Sequence, residues 1–238
     1  MKNKVLIVGS GETSDIDSSK FNKIYSANVA FKRLDSFKKV IYVFSEALLY
    51  TEKDLNEARP FEGYSVSESN QMRIDKYQQI DGINAKKIYV VCNDPNRVKS
   101  ALKRKNIKYE ILEIINSAKL WSLFSNCFSI KQVIYFFLKL PSLKLKLLFI
   151  FQYTMKQKMS VFFRPSTGIT SIMIAINENL DSCIFSNGIN VSNQEKNRTA
   201  FWGGVSVQYP DECHGMDNLY YEFFKSRGIT NLFLTDES

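Results

Sequence analysis

Val5-Leu6-Ile7-Val8-Gly9-Ser10-Gly11-Glu12-Thr13-Ser14 decides the fold of this chain. The apolar run is too short for a secretory signal peptide and reads as a buried first strand. The glycines after it permit a tight turn. They also let the backbone approach a phosphate or a nucleotide sugar, with Ser10 and Thr13 as hydrogen-bond donors. The turn lacks the third glycine of the dinucleotide fingerprint, because position 14 is serine, and it is not a Walker loop. Outward from it the pattern repeats. Ile24-Tyr25-Ser26, Val40–Phe44, Lys87–Cys92 and Lys108–Ile114 read as further strands, and helices are expected around Ser67–Ile80 and over Pro95–Lys105. This alternation predicts an α/β fold, a Rossmann-like mostly parallel sheet with helices on both faces.

The second half returns to the same pattern. Ser160–Phe163 reads as a strand or extended segment, Ile169–Glu178 as a helix and Asp181–Phe185 as a strand ending in the turn Ser186-Asn187-Gly188-Ile189-Asn190. Residues Val191–Tyr209 read as loop, Met216–Lys225 as a helix and Asn231–Leu234 as the last strand. With 238 residues and no repeat or low-complexity break, the expectation is one domain over residues 1–238.

Charge sets one segment apart. No acidic residue lies between Glu113 and Glu178, and that gap holds Lys119, Lys131, Lys139, Lys144, Lys146, Lys156, Lys158 and Arg164. These eight cations equal the net charge of +8, so the rest of the chain is balanced. Over residues 115–159 the gap is also crowded with Phe, Leu, Ile and Trp, and Pro141 interrupts it. No run reaches the roughly 20 apolar residues of a transmembrane helix. Two basic amphipathic helices forming an insert or lid are expected, with one face suited to an anionic membrane surface. A helical subdomain packed on the sheet, its lysines snorkelling, fits the same composition. The segment carries no nucleic-acid motif, so no nucleic-acid partner is expected.

Cys92, Cys127, Cys183 and Cys213 form no C-x-x-C pair, which argues against a zinc site and against a secreted disulfide scaffold. A cytoplasmic location is the expectation.

Three loops fall at carboxyl ends of predicted strands, where open α/β sheets bind ligands. The first is the Gly9-Ser10-Gly11 turn. The second is Arg164-Pro165-Ser166-Thr167-Gly168, where Ser166 or Thr167 caps a helix. The amides of that helix start, with Arg164, suit an anion, although a plain N-cap has the same composition. The third carries His214, the single histidine, at the mouth of the last predicted helix. Imidazole is suited to proton transfer near neutral pH, and a helix-start histidine without chemistry is the alternative. Asp15-Ile16-Asp17 has the D-x-D form of a metal-holding pair, but Ser14-Asp15 also begins helical turns, and no metal ligand is assigned. Cys213 neighbours His214, but adjacent side chains point apart, so no dyad is assigned.

In this order the motifs resemble the bacterial sialyltransferases that include the Campylobacter lipooligosaccharide enzymes. That family has a strand, then G-N-G-P-S and a turn ending I-D. Here the stretch is Val8-Gly9-Ser10-Gly11-Glu12-Thr13-Ser14-Asp15-Ile16-Asp17. Asn28 matches the family's asparagine before an aromatic stretch, and Arg164–Gly168 resembles its R-I-T-S-G element with one extra proline. Ser186–Asn190 resembles its S-G-I-D, and His214-Gly215-Met216-Asp217 its H-S-K-N-T-D. The similarity covers the two ends of the chain and not the middle.

The resemblance implies a GT-A-like sialyltransferase variant of the Rossmann-like fold. It implies a metal-independent, inverting transfer of a nonulosonic acid from a CMP donor to a cell-surface glycan or glycolipid, with no cofactor. His214 would be the base and Arg164 would face the leaving phosphate. Gly9, Ser10, Gly11, Asn28, Ser166, Thr167, Gly168, Asn187 and Gly188 would line the donor site. Ser10 departs from the family's asparagine. The family's two phosphate-contacting tyrosines have only Arg198, Trp202 and Tyr209 as candidate matches. The donor acid is therefore left open among sialic, Kdo, legionaminic and pseudaminic acids. A metal-dependent nucleotide-sugar transferase using Asp15 and Asp17 is one alternative. A non-catalytic basic protein of the membrane surface is the other.

Overall fold

The computed structural model describes residues 2–11, 16–36, 39–51, 54, 60, 63–160, 162–189, 198–202, 205–209 and 216–231. Strands β1 (Lys4–Val8), β2 (Lys23–Ala27), β3 (Val40–Phe44), β4 (Asn84–Val91), β5 (Lys108–Ile115) and β6 (Cys183–Asn187) pair in the order β5-β4-β3-β2-β1-β6. Every pairing is parallel, and the two-residue β9 (Thr230–Asn231) adds to the β6 edge. The fold is Rossmann-like.

Strand periodicity divides the core in two. Val5 and Ile7 face one side with Tyr25, Val43 and Tyr89, while Leu6 and Val8 face the other with Ile24, Tyr42 and Val90. On the second side lies α2 (Pro95–Arg104), capped by the Asp94 carboxylate, which accepts from the Asn96 and Arg97 amides, with proline at the first position. Helix α1 (Val66–Gln78) precedes β4 in the chain. On the first side lies α6 (Thr167–Glu178), whose residues Ile169–Ala175 are all buried against the sheet.

The basic segment forms three helices rather than two: α3 (Ser117–Cys127), α4 (Ile130–Lys139) and α5 (Leu143–Met155). The break between α3 and α4 is a capping box. Ser129 Oγ accepts from the Gln132 amide, and the Gln132 side chain accepts from Ser129 N. Its S-x-x-Q signal lies between two stretches rich in Phe, Leu and Ile, whose periodicity on either side gives it no separate mark. Trp121 and Phe124 of α3, Phe136 of α4 and Phe149 of α5 interlock with ring centroids 5.3–6.2 Å apart. Trp121 Nε1 donates to Gln157 O at 2.7 Å. These rings join the core on the α6 side of the sheet.

Two further expectations need correction. Val191–Tyr209 is not simply loop: β7 (Arg198–Trp202) and β8 (Val205–Tyr209) pair antiparallel, apart from the main sheet. Their β-branched and aromatic residues suit a hairpin, which lies outside the βα repeat that guides the rest of the reading. The described residues of Ser160–Phe163 form no strand. Arg164 N donates to Ser160 O at 2.9 Å, closing a turn, and Phe163 is buried among the rings of α3 and α5. Its apolar character serves the aromatic core. The last helix, α7 (Asp217–Ser226), packs Tyr220 against Phe124 and Phe136, and Phe224 against Phe128. Among the described residues no helix is long and apolar enough to cross a membrane.

Candidate functional site at the sheet switch point

Strand order reverses at β1. Strands β2 to β5 succeed one another on one side, and β6 lies on the other. Ligands of open α/β sheets bind beyond the carboxyl ends of strands at such a point. Here the Gly9–Gly11 turn leaving β1 meets the 187–189 turn leaving β6. Gly9 N donates to Asn187 O and Gly11 N to Gly188 O, each at 2.7 Å. A Cβ on Gly9 would stand 2.3 Å from Gly188 O and 2.6 Å from Ile189 Cγ1. The missing side chain of Gly9 therefore makes room for the chain's own second turn, and these two amides are engaged there rather than open to an anion. Gly188 has φ 68°, in the left-handed region where glycine is unstrained.

The amino terminus of α6 closes the third side. Its N-cap is Ser166, whose Oγ accepts from the Ile169 amide at 3.4 Å, and Gly168 faces the Ile189 side chain. Ser166 N donates to the buried Asp217 carboxylate at 3.1 Å. The amides of Thr167 and Gly168 are then the first-turn donors directed at no acceptor among the described residues. Two amides at a helix start, with the helix dipole behind them, suit an anion. Tyr220 OH donates to Phe163 O at 2.7 Å, so α7 fixes both ends of the Arg164-bearing turn.

Asn28 follows β2 in the left-handed region, φ 54°, and its Oδ1 accepts from Ser45 N at 2.9 Å, joining the rims after β2 and β3. Arg164 is half-buried. Its Nη1 lies 3.8 Å from Glu46 Oε2, and Lys158 Nζ lies 3.8 Å from the same oxygen. Glu46, Ser45 and Asp217 are the members of this rim that sequence reading did not assign. Glu46 follows a strand end, which is a weak signal, and Asp217 is tied in by a contact 51 residues away, which is none.

Gly9, Gly11, Ser166, Thr167, Gly168, Asn187 and Gly188 thus converge. Ser10 sits half-buried in the same turn, while Asn28 and Arg164 stand on the rim towards β3. His214, Cys213, Asp15, Thr13 and Ser14 lie outside the described residues. Asp17 is described. Its carboxylate caps the short turn Ser18–Lys20 by accepting from Ser19 N at 3.0 Å, and it pairs with Lys20.

A second polar cluster lies towards the amino ends of the strands. The Glu178 carboxylate accepts from Tyr25 OH, Tyr89 OH and Lys87 Nζ, and Lys87 and Lys119 also pair with Glu113. Burial pushes the Glu178 carboxyl up, but hydrogen bonds from Lys87 and the two tyrosines outweigh this and hold it below the usual carboxylate range. Glu113 goes the same way: the Lys119 and Lys87 bonds overcome burial. Burial, with Glu178 alongside, pushes both tyrosines well above their ordinary range. Every charge here has a partner, which marks a brace between α6 and the sheet rather than a reactive centre.

No family model, curated protein or solved structure matches the chain.

Proposed function

We propose that this protein is a metal-independent glycosyltransferase that moves a sialic-acid-like nonulosonic acid from a CMP donor to a glycan or glycolipid. The observation that carries this reading is the convergence of the Gly9–Gly11 turn, the 187–189 turn and the capped start of α6 at the β1/β6 switch point. In this reading the Thr167 and Gly168 amides and the Ser10 and Ser166 hydroxyls hold the donor phosphate. Arg164 moves from Glu46 to the charge that develops as CMP departs. His214 stands three residues before Asp217 in the chain, and Asp217 is bonded to the α6 cap. It takes the proton of the acceptor hydroxyl, whose oxygen attacks the anomeric carbon with inversion. CMP is a good leaving group, so hydroxyls, amides and a guanidinium suffice to stabilise it. The metal-dependent alternative is less favoured because the Asp17 carboxylate is engaged as a cap.

A CMP titration followed by thermal unfolding tests the reading. At a CMP concentration one hundred times Kd, linkage adds about 2.7 kcal/mol. For a domain of this size that raises Tm by about 5–10 °C. No shift, or an equal shift with AMP, overturns the proposal. His214→Ala should keep the CMP shift and lower transfer by roughly a hundred- to ten-thousand-fold. Near wild-type turnover in that variant removes His214 from the mechanism.

A further inference from the structure

We propose that the outward face of α4 and α5 docks on an anionic lipid bilayer. Each helix is apolar on two sides. The inner sides carry Phe136 and Phe149 into the aromatic core. The outer sides carry Ile130, Ile134 and Leu138 on α4, and Leu143, Leu147 and Phe151 on α5, all exposed and spaced four residues apart. That spacing makes one stripe per helix. Ile130 is 80% exposed and Leu143 72%. Of the fourteen exposed large apolar side chains among the described residues, nine lie on these two helices. A helix that is apolar all round is ordinarily buried, and apolar exposure concentrated in this way marks an interaction surface.

Charge selects the occupant. Lys131, Lys139 and Lys144 stand exposed on the same two helices, and no carboxylate occurs anywhere from 114 to 177. A second copy docked by a two-fold axis would set these lysines against their own counterparts with no acid to pair them. An anionic bilayer meets both halves of the surface: acyl chains take the apolar stripes and headgroups take the lysines. At 10 and 13 residues the helices are far too short to span, so they lie in the plane of the interface. The inference stands apart from the CMP-sugar reading, because no residue of the switch-point site takes part.

Flotation with vesicles is the test, using neutral phosphatidylcholine and phosphatidylcholine carrying about one-third phosphatidylglycerol. The wild-type protein should bind the anionic vesicles more strongly, and binding should weaken as salt rises from about 0.05 to 0.5 M. Replacing Lys131, Lys139 and Lys144 with Gln should lower partition by about fivefold per lysine, on the order of a hundredfold in all. The triple change Ile130→Ser, Leu143→Ser and Leu147→Ser should abolish binding with Tm unchanged, since these side chains are exposed. Both variants should keep the wild-type response to CMP, whatever that response is. Binding to neither vesicle, or equally to both, overturns the proposal. So does a wild-type dimer in sedimentation that the triple serine variant dissociates, because the face is then a subunit interface.

Discussion

Gly9→Ala isolates the contact on which the switch-point site is built. Gly9 does not have a positive φ, so alanine adds no backbone strain, and the whole effect is steric. The new methyl would meet Gly188 O at 2.3 Å, Ile189 Cγ1 at 2.6 Å and Gly188 C at 2.8 Å. Two of these three atoms are backbone, so a rotamer change does not relieve the clash. The 187–189 turn must withdraw, and the hydrogen bonds from Gly9 N and Gly11 N, both 2.7 Å, stretch or break. Overpacking costs about 1–3 kcal/mol, and each lost bond about 1 kcal/mol. The sum of about 3–5 kcal/mol lowers Tm by roughly 10 °C in a domain of this size. Gly168→Ala is the control. Its methyl meets Ile189 at 3.4 Å and beyond, which is ordinary contact. Alanine favours the helix by about 0.5–1 kcal/mol over glycine. Thermal unfolding of both variants by circular dichroism reads the difference. A Gly9→Ala protein as stable as wild type, or a Gly168→Ala protein as damaged as Gly9→Ala, refutes the steric reasoning.

The Glu178 brace predicts an acid limb in stability. Its carboxyl and that of Glu113 are held below the usual range when folded, so their contribution is present above the unfolded value of about 4.3 and is lost as pH falls through the folded values. Lys87 is raised, because its two carboxylates outweigh burial, so its contribution is lost only as pH rises through its folded value at the alkaline end. Glu178→Gln should cost on the order of 2 kcal/mol at neutral pH and flatten Tm against pH in the acid range; an unchanged acid limb argues against the brace. Trp121→Ala should cost about 3–5 kcal/mol in urea unfolding, because the ring is fully buried against Phe124, Phe149 and Tyr153. A cost below about 1 kcal/mol would mean that the aromatic layer carries little of the stability.

The parallel sheet was legible because its strands are short apolar runs ended by turn residues. Val40–Phe44 has the same bounds in sequence and structure, and the other strands of β1–β6 differ by at most three residues at either end; residues 232–234 of the expected last strand lie outside the described residues. What escaped is what does not repeat the βα rhythm. The β7–β8 hairpin pairs with itself rather than with the sheet, so the pattern that locates the other strands gives no place for it. The α3–α4 break rests on one local hydrogen-bond exchange at Ser129, within a segment whose aromatic and aliphatic residues run on both sides of it. Phe162 and Phe163 look like strand residues, yet they close a turn, since an aromatic side chain buried by helices leaves the same trace as one buried by a sheet.

The site was legible as a set of loops but not as a set of contacts, and the difference changes what its residues do. In sequence, Gly9 and Gly11 read as places where a phosphate approaches the backbone. In the structure the atoms that approach belong to Gly188 and Ile189, far along the chain, and the amides directed at no acceptor among the described residues are those of Thr167 and Gly168. Asp217 shows the same limit. In sequence it enters only as part of the His214–Asp217 element, but its carboxylate takes the Ser166 amide, leaving the Thr167 and Gly168 amides directed at no acceptor among the described residues. A negative charge already fixed at that helix start repels an incoming phosphate unless a cation answers it. Arg164 and Lys158 are cations of the segment leading into α6, and each lies 3.8 Å from Glu46 Oε2. Donor binding in the proposed reading is therefore an exchange of carboxylate for phosphate at Arg164. The same reading accounts for an arginine beside an acid at a site proposed to take an anionic donor.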